Sequence, residues 1–498
     1  MCDQGTAPGA RFAFSSPVFS LTRDNMTRII RGHLHFLDTL FPGFLHFVDT
    51  YTMLAARLAF RISGAFALCI LLLILSAAAR AENLVSVMEQ ALSSDPRVKI
   101  SELQLEISEN QNWRALSPLL PQLNASSQFS HNERTQVGGG RDSYKGEKYA
   151  VSASQVIFDF DAISNKIKTA RLVDRYGYEL EDVIGTVLLD VTERYLGVLG
   201  EHDNLALVQA EKESVQSQLS RYEKLYEKGL VKVTDLLDAR VRRDTIQADE
   251  IEILNQLEVA REALVRLTGQ PPGTLARLDS HAAFPVVEGE MTDWVDRAKQ
   301  NNPGLMASKM TVAAAESKVK QSWGGFMPRV DLRLSHQKSD IGFENSRAPR
   351  NRTNTASLVV SLPLFSGGSS YFALQESRSQ VQLEQMRQED LMREIVRSTR
   401  EAYLNANSNW RRIAASEKRL DSARESHKAM TKSFEYSAVT VVDVLNALQQ
   451  EFAARRDLLR AKYAYLLAWL RLHYLAGELT PEEIHLLNGL LTSDSEKR

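Results

Sequence analysis

Apolar residues recur along this chain with two different periods. In the first they fall every three or four positions: Ile253, Leu257, Ala260, Leu264 and Leu267 step by 4, 3, 4 and 3, and Leu459, Tyr463, Leu466 and Leu470 step by 4, 3 and 4. Charged residues fill the intervals, so each run predicts a helix with one narrow apolar seam, as in a coiled coil. No proline occurs between Phe158 and Gly269, or between Phe365 and Gly477, so nothing breaks a helix across either stretch. A helix over 160–228 would be about 100 Å long. Its small and polar positions Ala206, Ala210, Ser214 and Ser217 suit lateral packing in a curved tube wall. In the second period apolar and polar residues alternate: Val330, Leu332 and Leu334 with Asp331, Arg333 and Ser335, then Ala356, Leu358, Val360 and Leu362 with Ser357 and Ser361. Tyr149, Val151, Ala153 and Ile157 share a face with Gln155 in a noisier version. Strands of about ten residues with one apolar face are the mark of a membrane β-barrel, or of a soluble hairpin packed on helices. Polar loops are expected at Gly138 to Gly146 and at Ser339 to Asn354.

These elements occur twice. Asp95-Pro96, Leu120-Pro121-Gln122-Leu123 and Ile157-Phe158 are echoed 207 residues later by Asn302-Pro303, Met327-Pro328-Arg329-Val330 and Leu364-Phe365. Tyr195-Leu196, Asp235-Leu236-Leu237 and Leu267-Thr268-Gly269 are echoed at an offset of 208 by Tyr403-Leu404, Asp443-Val444-Leu445 and Leu475-Ala476-Gly477. Six matches in one order predict two copies of a unit, 82–270 and 290–478, each a helix, two strands and two long helices. A Pro/Gly-rich linker, 271–289, joins them, and 479–498 is a tail. The first helix of copy one is expected over 84–117, after Asn83. Its counterpart should follow Thr292 and end near Gly324-Gly325.

Two hairpins give four strands, too few to close a membrane barrel, and an open edge in lipid leaves backbone groups unpaired. If the strands enter a membrane, several protomers must share one barrel.

Residues 53–81 read as a signal peptide: Arg57 and Arg61, an apolar run from Gly64 to Leu75, then Ala79-Arg80-Ala81 for cleavage. The run is shorter than a spanning helix needs, so a retained anchor is the weaker alternative. Cys69 lacks the small residues after it that a lipid anchor requires. Residues 1–52 precede the signal and read as an extension without assigned function, with Met53 as the expected start. Cleavage leaves 53 Lys/Arg against 58 Asp/Glu and removes both cysteines, Cys2 and Cys69. The mature chain then has no disulfide framework, no thiol nucleophile and no basic surface for nucleic acid.

The residues AENLVSVMEQALSSDPRV, SPLLPQLNASSQFS, QVIFDF, YEKGLVKVTDLLDAR, VVSLPLFSGG, VVDVLNA and LAGELTPEEIHLLNGLL carry a family resemblance. The chain resembles the outer-membrane efflux proteins of the TolC type over essentially all of 82–492. The resemblance implies an α+β membrane protein: a homotrimer whose protomers give four strands each to one 12-stranded outer-membrane β-barrel, continued by a long periplasmic α-helical barrel. It implies a passive exit duct for type I protein secretion or multidrug efflux. A periplasmic membrane-fusion adaptor and an inner-membrane ABC, RND or MFS pump would dock on it, with no cofactor. It also places a narrowed tip where the long hairpins turn, near Gly229 and Ser437. Asp443 takes the first position of the family's acidic ring, and the second reads Asn446. Thr234-Asp235 matches the first-hairpin side of a polar latch whose arginine position reads Val439 and whose turn glycine reads Ser437. Closure would then fall to packing of Val439 and Val441. Asp443 reads equally as a first-turn carboxylate favoured by the helix dipole. Gly229-Leu230-Val231 is a candidate adaptor contact, or simply a helix-terminating turn. Tyr149, Phe158, Phe365 and Tyr371 are candidates for the membrane interface, with buried packing the competing reading.

No nucleotide, metalloprotease or serine-hydrolase motif occurs, and the ten histidines show no paired ligand spacing. His131 and His336 read as ordinary polar strand positions. Two rival readings stand beside the channel. One is a soluble coiled-coil scaffold. The other is a periplasmic adaptor protein, which would need a lipoyl-like β-domain that the sequence does not offer.

Overall fold

A computed structural model describes residues 83–135, 138–279, 284–342 and 345–492. The expected extension 1–52 and signal peptide 53–81 lie outside the described residues. Helices α1 (Leu84–Ser94) and α2 (Pro96–Leu116) lead through a 3-10 turn to strands β1 (Gln122–Thr135) and β2 (Arg141–Phe158). Helices α3 (Phe160–Glu227) and α4 (Val233–Thr268) follow. After the short strand β3 (Arg277–Leu278) the order recurs: α5 (Met291–Asn301), α6 (Pro303–Trp323), β4 (Arg329–Ile341), β5 (Arg347–Ser361), α7 (Ser369–Glu435) and α8 (Val441–Leu475). Helix α9 (Pro481–Asn488) and strand β6 (Leu491–Thr492) close the chain.

The proline-free stretches do form uninterrupted helices: α3 has 68 residues and α7 has 67, each about 100 Å long. Residues Leu236, Ala239, Ile246, Ile253, Leu257, Leu264 and Leu267 are the buried seam of α4, a spacing close to 3.5. The facing seam of α3 is Val208, Val215, Leu219 and Tyr222. Ala206 and Ser217 lie off that seam and are exposed, whereas Ala210 and Ser214 are half-buried.

The helix expected over 84–117 is two helices. Asp95 accepts a hydrogen bond from the Arg97 N–H (2.8 Å) and caps a second helix opened by Pro96. A proline suits the first turn of a helix and not its middle. Asn302-Pro303 repeats the break, with the Asn302 side chain accepting from Leu305 N–H at 3.0 Å. The counterpart helix begins at Met291, earlier than Thr292, behind a Glu290 capping box.

The four long strands form one antiparallel sheet in the order β1-β2-β4-β5. They are longer than the expected ten residues, and both polar loops shrink. Strand β2 runs through Gly146, and β4 and β5 claim most of Ser339 to Asn354. Polar side chains do not stop a ladder of backbone bonds. A Cβ at Gly146 would come within 2.7 Å of Ile341 Cγ1, so only glycine lets β2 pass there. A bulge between Val156 and Phe158 shifts the β2–β4 register and puts Phe158 opposite Val330, while Gln155 stays on the apolar face opposite Leu332. Leu362 lies one residue beyond β5.

Register sorts the two faces. One carries Leu123, Ala153, Leu334 and Ala356 across a single rung. The other carries Gln122, Ser154, Arg333 and Ser357. Leu123, Phe129, Val151, Leu358 and Val360 each leave more than half their surface uncovered, so an apolar band is open on one side of the sheet.

The largest core joins α1, α3, α4 and α8 with α9. It holds Leu84, Val187, Tyr195, Leu264, Leu466, Trp469 and Ile484. The linker lies across it. Tyr195 Oη donates to Ala276 O (3.1 Å), Tyr465 Oη to Pro285 O, and β3 pairs with β6 of the tail. Among the described residues no helix is long and apolar enough to cross a membrane.

Candidate functional site: the tip of the helical hairpins

Both long hairpins turn by the same backbone device. At the first, Leu230 N–H donates to Leu225 O (2.9 Å) and Gly229 N–H to Tyr226 O (2.8 Å). At the second, Ala438 N–H donates to Ser433 O (3.0 Å) and Ser437 N–H to Phe434 O (2.9 Å). Each is a Schellman closure, which needs one residue in the left-handed region. Gly229 fills it at φ 71°, and Ser437 fills it at φ 57° although it carries a Cβ.

An apolar cluster under the two turns joins the hairpins. Leu219, Tyr222, Leu236 and Ala239 of the first pack with Val441 and Leu445 of the second. Val231 packs against this cluster, so it belongs to the seam. Gly229 and Leu230 are exposed, Leu230 by 69 %. Val441 is buried, whereas Val439 is half-buried and outside the cluster. Tyr222 stacks edge-on against Phe434 at 5.6 Å. Its hydroxyl is buried without a partner, and burial pushes it up to about 12.

Asp443 is the third residue of α8 and closes a capping box with Thr440. Its Oδ2 accepts from Thr440 N–H (2.8 Å) and Thr440 Oγ1 (2.7 Å), and its own N–H reaches Thr440 Oγ1 at 3.3 Å. Those bonds, the backbone one first, hold its carboxyl below the usual range. The carboxylate stays at the surface, and Asn446, one turn on, is also exposed. Thr234 Oγ1 reaches its neighbour Asp235 Oδ1 at 3.5 Å. Close to the turns a polar link between the hairpins runs from Arg221 Nη2 to Glu435 Oε1, at 3.3 Å.

Further from the turns lie two buried carboxylates that sequence reading missed. Glu211 of α3 accepts from Arg242 of α4 and Arg456 of α8, each at 2.6 Å, and so ties three helices. Glu451 of α8 accepts from His427 Nδ1 (2.8 Å) and from Arg455. Burial pushes Glu451 up, but the bonds from His427 and Arg455 outweigh it and leave the carboxyl low. Buried glutamates on an otherwise apolar seam were the available signal. Among the described residues no cluster of His, Cys, Asp or Glu is arranged to hold a metal ion.

Comparison with known proteins gives one answer. A family model described as "Outer membrane efflux protein" matches residues 87–270 and 294–478. The alkaline protease secretion protein AprF of Pseudomonas aeruginosa is 30% identical over 446 residues, covering 87% of this chain and 92% of that protein. The outer membrane protein TolC of Escherichia coli is 28% identical over 434 residues, covering 84% and 86%. In fold, the channel CusC superposes with a TM-score of 0.70 at 17% identity, over 80% of this chain and 92% of that one. The outer-membrane channel OprN gives 0.69 at 15%, over 80% and 93%. Matched by the family model over both halves and 30% identical to AprF over most of each chain, the chain belongs to the outer membrane efflux protein family, whose members are passive channels and not enzymes.

Proposed function

We propose that this protein is the outer-membrane exit duct of a tripartite export system, working as a homotrimer. Three protomers supply four strands each to a closed 12-stranded barrel, and their hairpins form the wall of a periplasmic α-barrel. The observation that carries the reading is the sheet order β1-β2-β4-β5, which leaves β1 and β5 as open edges of 14 and 15 residues beside an uncovered apolar face. In lipid each unpaired backbone group costs several kcal/mol. Strand β5 runs antiparallel to β1, so β5 of one protomer can extend its ladder onto β1 of the next.

The helices favour the same ring. Helix α6 packs on both α3 and α7, while its counterpart α2 packs on α3. Ile100, Leu103 and Ile107 form an exposed stripe on α2, placed where two structural copies in a ring would seat the neighbour's α7. A periplasmic membrane-fusion adaptor would meet the turns at Gly229 and Leu230, and an ABC, RND or MFS inner-membrane pump would supply the energy. The likeness to a protein named for alkaline protease secretion supports type I protein secretion as one cargo route, with drug efflux as the other. Purified protein in detergent should have the mass of three chains and should conduct in planar bilayers. A water-soluble monomer without conductance would sink the proposal.

A further inference from the structure

The apolar face of the sheet changes character along each strand. Read every second residue away from the helices, β5 gives Val360, Leu358, Ala356, Asn354, Arg352, Arg350. Strand β4 gives Val330, Leu332, Leu334, His336, Lys338, and β2 gives Ala153, Val151, Tyr149, Glu147, Lys145. Successive residues in each series share a face. Tyr149, Lys338 and Arg352 stand directly opposite one another on one rung. The boundary between apolar and cationic residues falls further along β2 than along β4 and β5, as a level band does on strands tilted in a barrel wall. Just below it, Phe129 and Tyr149 pack edge to face at 5.8 Å, aromatic residues at the height where a bilayer ends.

The charges above that boundary are not balanced. Arg350 faces two acids, Glu147 at 3.4 Å and Asp340 at 3.7 Å. Lys145, Lys338 and Arg352 have no acidic partner among the described residues. Lys145 and Arg352 are exposed and Lys338 is half-buried. Strand spacing puts the Lys338 and Arg352 backbones about 5 Å apart, with the next cation of the face about 7 Å along β5, so two heads can close on one phosphate.

We infer that this cationic girdle is a docking surface for the phosphate-bearing headgroups of the outer lipid leaflet. The inference rests on the reading that the sheet spans the outer membrane with its hairpin ends outward. The occupant follows from position and charge: the cations lie on the lipid face, continuous with the apolar band, where only a lipid headgroup sits beside them. A basic residue near an anionic lipid surface strengthens association about fivefold.

The test uses the full-length trimer in vesicles of a zwitterionic phospholipid doped with bisphosphorylated lipid A, or with the same lipid dephosphorylated. Lipid retained per trimer after mild detergent release is counted by native mass spectrometry. The wild type should retain the phosphorylated form several-fold over the dephosphorylated one. The triple variant Lys145→Gln, Lys338→Gln, Arg352→Gln should lose that preference. The charge-preserving set Lys145→Arg, Lys338→Arg, Arg352→Lys should keep it, as should Arg333→Gln on the opposite face. Equal retention of both lipids by the wild type, or an undiminished preference in the triple variant, overturns the girdle. Loss of preference in the charge-preserving set overturns it as well. Planar-bilayer conductance of every preparation separates the two ideas: channels that conduct without lipid preference leave the duct standing and remove the girdle, whereas a wild type that neither assembles nor conducts removes both.

Discussion

Ser437 holds a backbone conformation that costs a residue with a Cβ roughly 1 kcal/mol, whereas Gly229 holds its counterpart without strain. Ser437→Gly should therefore raise thermal stability by about 1 kcal/mol, and Gly229→Ala should lower it by a similar amount, read as opposite shifts in melting temperature. Asp443 carries two roles that separate by mutation. Thr440→Ala removes the cap bond at a cost of about 1 kcal/mol and leaves the surface carboxylate. Asp443→Ala removes the carboxylate and keeps the backbone N–H that Thr440 Oγ1 caps. If Asp443 lines a narrow pore, block of conductance by multivalent cations should disappear in Asp443→Ala and persist in Thr440→Ala; block surviving in both would detach Asp443 from the pore. His473 gives a pH dependence. Its ring lies 4.0 Å from Trp469 and 5.0 Å from Trp294, and burial lowers it to about 4. The unfolded imidazole titrates near 6.5, so the folded state favours the neutral form. That contribution is complete above about pH 6.5 and is lost as pH falls toward 4, by about 3 kcal/mol at most. His473→Gln should flatten the melting temperature across that window.

At the scale of elements, helix extent was legible because it depends on local facts. Missing prolines predict the unbroken α3 and α7, the apolar seams predict α4 and α8, and Asn83 does cap α1 through Ser86 N–H at 2.8 Å. The break at Asp95-Pro96 shows in the sequence only as a proline, and it is the Asp95 cap on Arg97 N–H that makes it the start of a second helix. Strand ends are less legible because polar residues also read as a loop, yet Arg141 to Gly146 pair with β1 rung by rung, and Arg141 adds a side-chain bond to Glu133. The ties between hairpins were illegible. Arg221 and Glu435 are 214 positions apart, and Glu211 and Arg456 are 245; no periodicity encodes such a meeting. These ties differ in weight. The Arg221–Glu435 pair is exposed on both sides and is worth under about 1 kcal/mol. Glu211 is buried between two guanidiniums, so Glu211→Gln leaves them facing each other without a counter-charge and should cost about 3–5 kcal/mol in a melt. A variant melting like the wild type would show that water already solvates that layer.

Across the whole molecule, the exposed stripe on α2 tests the proposed ring. Ile107→Glu places a charge on a face that the proposed trimer would bury and should reduce the trimer fraction in detergent, while each protomer keeps its helical circular dichroism; an unchanged trimer would move the interface elsewhere. A different consequence follows from the tail. Leu84 N–H is capped by Asn488 Oδ1 at 3.0 Å, Ile484 and Leu487 are buried in the main core, and β6 completes β3. The segment from Ile484 to Leu491 is thus the keystone that holds α1 in place. Because Asn488 lies 404 positions further along the chain than Leu84, the local hairpin seams can close before this core does.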